Sequence, residues 1–319
     1  MQLFALDSGD AFAAALSARL DEPLAPHEER VFEDGERKLR PLVDPRGDDA
    51  YVVASLYGGP HDSPHDKLCR LLMFVATLRD HGARRVSAVV PYLAYARKDR
   101  RTKPFDPLTL RYVAQWFEAA GTDQLIVLEA HNVAALENAF RRPTLHLQAH
   151  ELFDAVAVEA IGPRPLVVAS PDPGGVKRAQ LWRESLQQRL ARPVGFAMLD
   201  KRRSAGVVSS DRIVAGDVAD ASVLLLDDLI ASGETMLRAA LALRAAGATE
   251  VSVFAAHGLF IAPAATALAD PAIARVVVSD SVPAFRLPAD SAVRAKLQVV
   301  SAAPLFAQAI SECHGSWQG

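Results

Sequence analysis

LRDHGARRVSAVVPYLAY (78–95) and LRAAGATEVSVFAAHGLF (243–260) align without a gap, with Leu, Arg, Gly, Ala, Val and Ser at matching places. Each stretch ends a helical run, turns at a glycine and enters an apolar run. Continuous apolar runs that follow helices predict strands covered on both faces, as parallel sheets require. Around the first copy, AYVVASLY (50–57), RRVSAVVPYL (84–93) and DQLIVLEAH (123–131) are predicted strands. DKLCRLLMFVATLRDHG (66–82) and PLTLRYVAQWFEAAG (107–121) are predicted helices, the first closed by Gly82. The second half repeats the rhythm: strands in 164–172, 221–229 and 249–258, helices in 174–190 and 234–247. The pattern predicts an α/β chain of two similar domains, each a mainly parallel sheet flanked by helices. Helix–turn–strand units also look alike by chance. A duplication adds the expectation of one fold in both halves, with a boundary near RRPTLHLQAH (141–150).

Composition narrows the function. Half of the 319 residues are hydrophobic and 23% are charged, enough to bury two cores. A net charge of -3 lacks the basic excess that a nucleic-acid partner demands. Cys69 and Cys313 lie in different halves without metal-ligand spacing, so a disulfide framework is not expected and a reducing cytoplasm is. MQLFALDSGDAF (1–12) has early acids and does not read as a secretory leader. The long apolar runs are broken by charge, so no membrane span is expected.

The chemistry concentrates in VLLLDDLIASGET (223–235). A buried strand that ends in Asp227 and Asp228 presents two carboxylates at its carboxyl edge, where open α/β sheets bind ligands. The turn after it holds Ser232, Gly233, Glu234 and Thr235, whose backbone N–H groups at a helix N-terminus suit a phosphate. An ordinary Ser or Thr helix cap is the competing reading.

This stretch resembles the phosphoribosyl-binding loop of phosphoribosyltransferases and phosphoribosyl pyrophosphate synthetases. The resemblance implies that Asp227 and Asp228 meet the ribose hydroxyls and that Ser232, Gly233, Glu234 and Thr235 hold the 5′-phosphate. Ala231 and Glu234 depart from the family pattern. VFEDGERK (31–38) resembles the synthetases' nucleotide loop, which implies that Phe32, Asp34 and Glu36 contact ATP from a neighbouring subunit. A surface turn at Asp34-Gly35 is the alternative. PYLAYARKDRR (91–101) is similar to the family's triphosphate stretch and implies ATP contacts for Arg97 and Lys98, where Lys98 replaces a usual glutamine. A solvated charge run is the alternative there. VLEAHNVAALENAF (127–140) is a looser match; it implies a magnesium and nucleotide role for His131, with Glu129 in place of a usual aspartate.

ASPDPGGVKR (169–178) resembles a synthetase-specific strand–turn–helix, with Asp172 implied to meet magnesium or ribose. LDKRRS (199–204) resembles the start of the family's flexible catalytic loop, and implies that Lys201 and Arg203 are the catalytic cations. Two such cations would stabilise the charge of a pyrophosphoryl transfer and exclude water. Together the motifs imply the phosphoribosyltransferase-like fold, duplicated. An N-terminal nucleotide-binding domain would cover 1–146 and a ribose-phosphate domain 147–296. The segment 297–319 would pack back towards the first. The implied reaction joins ATP and ribose 5-phosphate with Mg2+, in a homodimer or larger homo-oligomer with a shared active site and with neither nucleic acid nor membrane as partner. The chain reaches its last residue without the family's regulatory tail, so weak control by ADP is expected. A non-catalytic relative that modulates synthetases, or a phosphoribosyltransferase, is the alternative; retention of Lys201, Arg203, His131 and Asp172 favours an enzyme.

Overall fold

The computed structural model describes residues 1–7, 11–160, 164–204 and 207–316, the side chains of 160, 201–204, 207–213 and 316 excepted. The chain divides into two compact units, Met1–Leu147 with Ala302–Gly319, and Gln148–Ser301.

Unit 1 contains β1 (Gln2–Ala5), α1 (Ala11–Leu20), β2 (His27–Val31), β3 (Arg37–Pro41), β4 (Asp49–Val53) and α2 (Pro64–Asp80). It continues with β5 (Arg85–Val90), α3 (Thr109–Ala119), β6 (Gln124–Leu128), α4 (Val133–Ala139) and β7 (Thr144–Leu147). A five-stranded sheet in the order β1-β4-β5-β6-β7 is parallel throughout. Every residue of β4 is buried, as a strand covered on both faces must be. The helix expected at 66–82 runs from Pro64 to Asp80 because Ser63 and Asp66 form a reciprocal capping box and proline occupies the first turn. Gly82 follows with a φ of +86°. Among the described residues β2 and β3 pair only with each other, as an antiparallel hairpin.

Unit 2 contains α5 (His150–Ala160), β8 (Leu166–Ser170), a 3₁₀ turn (Pro173–Gly175), α6 (Val176–Leu190), β9 (Gly195–Ser204), β10 (Val207–Ala215), β11 (Ser222–Ile230) and α7 (Glu234–Ala245). After them come β12 (Glu250–Gly258), α8 (Ala264–Ala267), β13 (Arg275–Ser279), a second 3₁₀ turn (Ala292–Lys296) and β14 (Leu297–Val300). The sheet order is β10-β9-β8-β11-β12-β13-β14, parallel except for the β9–β10 pair. The aligned repeat segments occupy similar places, since β5 is the middle strand of a five-strand parallel run and β12 is third from the β14 end of a six-strand one. Trp182 packs edge-on against Phe254 at 4.8 Å between ring centres, and its indole N–H donates to the buried Asp154 at 2.9 Å.

The last helix, α9 (Ala303–Ser316), belongs to unit 1, whereas β14 stays in unit 2. Phe306 meets Phe12 edge-on at 5.3 Å, and His314 Nδ1 lies 3.3 Å from Asp49 Oδ2. Burial alone would raise the Asp49 carboxyl, but hydrogen bonds from Arg85 and Arg84 outweigh it and hold the group well below the usual carboxylate range.

One element differs from the sequence reading. LDKRRS was expected to open a loop; its backbone instead continues β9, with Lys201 opposite Arg212 and Arg203 opposite Val208 of β10. Antiparallel pairing satisfies the backbone groups that an open loop would leave to water.

Candidate active site

In unit 2 the parallel strands β8 and β11 end side by side, and β11 outruns its neighbour: their pairing ends at Leu225 and Ala169. Asp227 and Asp228 therefore lie beyond the end of β8, where the loop bearing Asp172 begins. Asp228 is buried, and its N–H donates to Asp227 Oδ1 at 2.9 Å. Burial, the adjacent Asp228 charge and a side-chain hydrogen bond with Asp228 push the Asp227 carboxyl well above its ordinary range, although the Arg178 charge pulls the other way. Arg178 Nη1 is 3.7 Å from Asp227 Oδ1.

Asp172 Oδ1 accepts the Gly174 and Gly175 N–H groups at 2.9 and 3.2 Å, which fixes the carboxylate at the head of the 3₁₀ turn. Ser170 Oγ donates to the Asp172 carbonyl at 2.6 Å, bracing the same turn from the strand end. The side chain of Gly175 is missing for a reason: a Cβ there would stand 2.6 Å from Ser170 Oγ.

The turn before α7 does not use an ordinary cap. Gly233, with a φ of +74°, is the N-cap, and among the described residues no side-chain cap bond is made there. Neither Ser232 nor Thr235 acts as the hydroxyl cap that the competing reading required. A Cβ at Gly233 would also approach Leu268 Cγ to 3.0 Å. Glu234 is exposed and points along its helix to Arg238, with Nη1 at 3.5 Å, so its charge faces away from the amides. The result is an open helix N-terminus a few residues past two carboxylates.

β9 pairs with β8 as far as Met198 and Ser170, so the backbone at Lys201 and Arg203 also extends past the end of β8. The side chains of Lys201 and Arg203 lie outside the described residues.

In unit 1 the remaining candidates gather where the strands also end. Arg97 and Lys98 follow β5, and His131 follows β6. Asn132 Nδ2 donates to Asp99 Oδ2 at 2.6 Å, which ties these two loops together. Arg97 and His131 are exposed. Lys98 is engaged within its own loop, bonded to Asp106 Oδ2 and 3.3 Å from Thr102 Oγ1. Asp106 also accepts the Thr102 and Lys103 N–H groups at 2.9 and 3.0 Å, and these bonds, Lys98 foremost, drop its carboxyl far below the usual range. Phe32, Asp34 and Glu36 occupy the turn of the β2–β3 hairpin. The Phe32 N–H donates to the Glu36 carbonyl at 2.8 Å, the Glu36 N–H donates to Asp34 Oδ1 at 3.1 Å, and Gly35 has a φ of +92°. Arg30 stacks on the half-buried Phe32 ring at 4.9 Å; Asp34 and Glu36 are exposed.

The sequence reading gave no role to Arg178. A signal was present, because Lys177 and Arg178 stand in the first turn of α6, where the helix dipole disfavours cations. A cation placed there implies a nearby carboxylate.

Comparison with known proteins agrees with this geometry. Residues 1–121 match the N-terminal domain of ribose phosphate pyrophosphokinase, and residues 210–316 match the phosphoribosyl synthetase-associated domain. A ribose-phosphate pyrophosphokinase of Caldanaerobacter subterraneus is 32% identical over 98% of this chain and 95% of its own length. One from Granulibacter bethesdensis is 34% identical over 97% of this chain and 96% of its own. The crystal structure of phosphoribosylpyrophosphate synthetase from Mycobacterium smegmatis superimposes with a TM-score of 0.85 at 30% identity, covering 99% of each chain.

Proposed function

The chain belongs to the ribose-phosphate pyrophosphokinase family, and from that premise we propose that it converts ATP and ribose 5-phosphate to phosphoribosyl pyrophosphate and AMP. The observation that carries the reading is the pair Asp227 and Asp228, set between the Asp172 turn and the open N-terminus of α7. In this reading the two carboxylates accept hydrogen bonds from the ribose 2′ and 3′ hydroxyls. The N–H groups of 232–235 receive the 5′-phosphate, which leaves C1 facing the polyphosphate. The C1 oxygen attacks the β-phosphorus and the bond from that phosphorus to the α,β-bridging oxygen breaks. AMP departs with the bridging oxygen, and the hydroxyl proton passes to water. Lys201 and Arg203 would stabilise charge on the transferring group.

Enzymes of this family use a metal ion, and the donors here suit magnesium. Among the described residues Asp172 Oδ2 accepts no hydrogen bond, so a hard oxygen is presented for a hard cation; His131 is kept as a candidate ligand on the family resemblance alone. Bound there, magnesium would neutralise polyphosphate charge.

Phe32, Asp34, Glu36 and Arg97 are read as ATP contacts, with Lys98 supporting them through its loop. The exposure of Asp34 and Glu36 suits a contact made to a second copy of the chain, hence a homodimer or larger assembly. Among the described residues no helix is long and apolar enough to cross a membrane, and Cys69 and Cys313 are free thiols, which suits a cytoplasmic enzyme.

The test is direct. Purified protein given ATP, magnesium and ribose 5-phosphate should release AMP and form the activated sugar, and Lys201→Ala should lose roughly a hundredfold or more in kcat. No AMP together with tight binding to an active synthetase would assign a modulating subunit. A Lys201→Ala variant with the parent's kcat would remove that residue from the mechanism.

A further inference from the structure

Among the described residues the hairpin of unit 1 joins no other strand in a sheet, and an isolated two-stranded ribbon is marginally stable in water. The Ala25 N–H donates to the Leu3 carbonyl at 2.7 Å just before it, and side chains hold the remainder. Leu39 is buried in the unit 1 core, and His27 packs on Phe74 of α2 at 5.4 Å. A chain of charges supplies the rest. Arg37, the first residue of β3, bonds Glu29 of β2 and, at 2.6 Å, Asp62 in the loop after β4. Arg70 of α2 reaches the same two carboxylates with Nη1, 3.5 Å from each, and bonds Asp7 with Nη2. Lys67, one turn earlier on α2, donates to Asp7 at 2.8 Å and to the Ser55 carbonyl at 3.3 Å, and lies over the Tyr57 ring at 3.7 Å.

Three cations, Arg37, Lys67 and Arg70, thus meet three carboxylates, Asp7, Glu29 and Asp62, and the charges balance. The Arg70 and Lys67 side chains are each 5% exposed. Such groups are costly to bury unless paired, which favours this arrangement over ones that strand a charge, although the Arg70 Nε–H is itself buried without a partner among the described residues. Arg37 directly follows Glu36, so that arrangement fixes the turn carrying Phe32, Asp34 and Glu36.

We propose that Arg70, acting through Glu29 and Asp62, is a positioning residue for the hairpin turn and thereby sets affinity for the nucleotide without entering the transfer itself. The proposal rests on the reading that the turn contacts ATP. It makes the guanidinium an organiser of a loop it does not belong to, and it predicts an effect confined to one substrate.

Arg70→Met, Arg70→Lys and Phe32→Ala in the full-length protein provide the test, read by steady-state kinetics and by amide hydrogen exchange without substrates. Arg70→Met should accelerate exchange across 27–41 and raise KM for ATP about tenfold, while KM for ribose 5-phosphate and kcat at saturating ATP stay within about twofold. Arg70→Lys should recover part of the loss. Should Arg70→Met not fold, Glu29→Gln, which keeps volume and removes one charge, should show the same confined effect. Unchanged exchange across the hairpin overturns the proposal. So does faster exchange with an unchanged KM for ATP in a protein whose Phe32→Ala variant does raise that KM. If neither variant alters KM for ATP, the nucleotide reading of the turn fails and the proposal falls with it.

Discussion

Gly175→Ala probes the most tightly built part of the candidate site. The φ and ψ of Gly175, −87° and −2°, are open to alanine, so the backbone itself resists nothing. The conflict is with one atom, since the new Cβ would lie 2.6 Å from Ser170 Oγ, while Ser170 Cβ is a comfortable 3.8 Å away. Ser170 is fully buried and its hydroxyl is committed to the Asp172 carbonyl at 2.6 Å. To admit the methyl the hydroxyl must rotate away, leaving a buried donor and a carbonyl unpaired. That costs about 1–3 kcal/mol and frees the Asp172 turn. Ser170→Ala alone should cost about 1 kcal/mol, because it deletes the donor rather than stranding it. The double variant meets only the Cβ–Cβ contact and should be no less stable than Ser170→Ala, a coupling of about 1–2 kcal/mol. Urea unfolding of the four proteins, followed through the buried Trp182 with Trp116 and Trp317 replaced by phenylalanine, reports unit 2 by itself. Gly175→Ala should also raise KM for ribose 5-phosphate and the magnesium requirement together. Strictly additive stabilities in the double variant would refute the steric argument. Full activity in Gly175→Ala would detach the Asp172 turn from catalysis.

Two further outcomes follow from the same structure. The Asp227 carboxyl is raised in the folded protein, so its ionisation opposes folding; the cost is absent below the unfolded value, grows as pH rises from there to the folded value and is constant above it. Asp227→Asn should therefore unfold at higher urea concentration than the parent at pH 8 but not at pH 4, while losing ribose 5-phosphate affinity; equal midpoints at both pH values would contradict the burial argument. Lys98→Met and Asp106→Asn break one latch, so each should raise KM for ATP several-fold, and the double variant should be no worse than either. A loss in Lys98→Met with none in Asp106→Asn would instead assign Lys98 to direct nucleotide contact.

What could be read from the sequence was whatever depends on neighbours along the chain. The strand–acid–turn–helix stretches at 166–178 and 222–235 fold as their local patterns indicate, and Ser63-Pro64-His65-Asp66 states a helix start in four letters. The repeat worked for the same reason: a glycine turn between helix and strand is a local device. Pairings across long separations left weaker traces. Asp7 meets Lys67 and Arg70, and Glu29 meets Arg37 and Arg70, only because the sheet and α2 bring distant segments to one edge. The resemblance implies an ATP contact for Lys98, with a solvated charge run as the alternative, and neither reading foresees that Lys98 is held by Asp106, which stands in the loop eight residues on. LDKRRS reads as the start of a loop on its resemblance to the family's catalytic loop, and the long-range pairing with β10 decides otherwise.

Arg178 shows how such a pairing can still leave a local mark. Nothing in ASPDPGGVKR names Asp227 as its partner, which lies 49 residues further on (227 minus 178). But a cation in the first turn of α6 works against the helix dipole, at a cost of a few tenths to about 1 kcal/mol. Here that cation lies 3.7 Å from Asp227, whose burial and acidic neighbour still raise its carboxyl well above the ordinary range against the pull of Arg178. The glycine N-cap of α7 departs from the usual choice too, since a Ser, Thr, Asp or Asn cap would stabilise the helix but put a protein oxygen where the 5′-phosphate is proposed to bind. In both turns local stability is lower than the sequence could have made it, and both departures open onto the two aspartates at the end of β11.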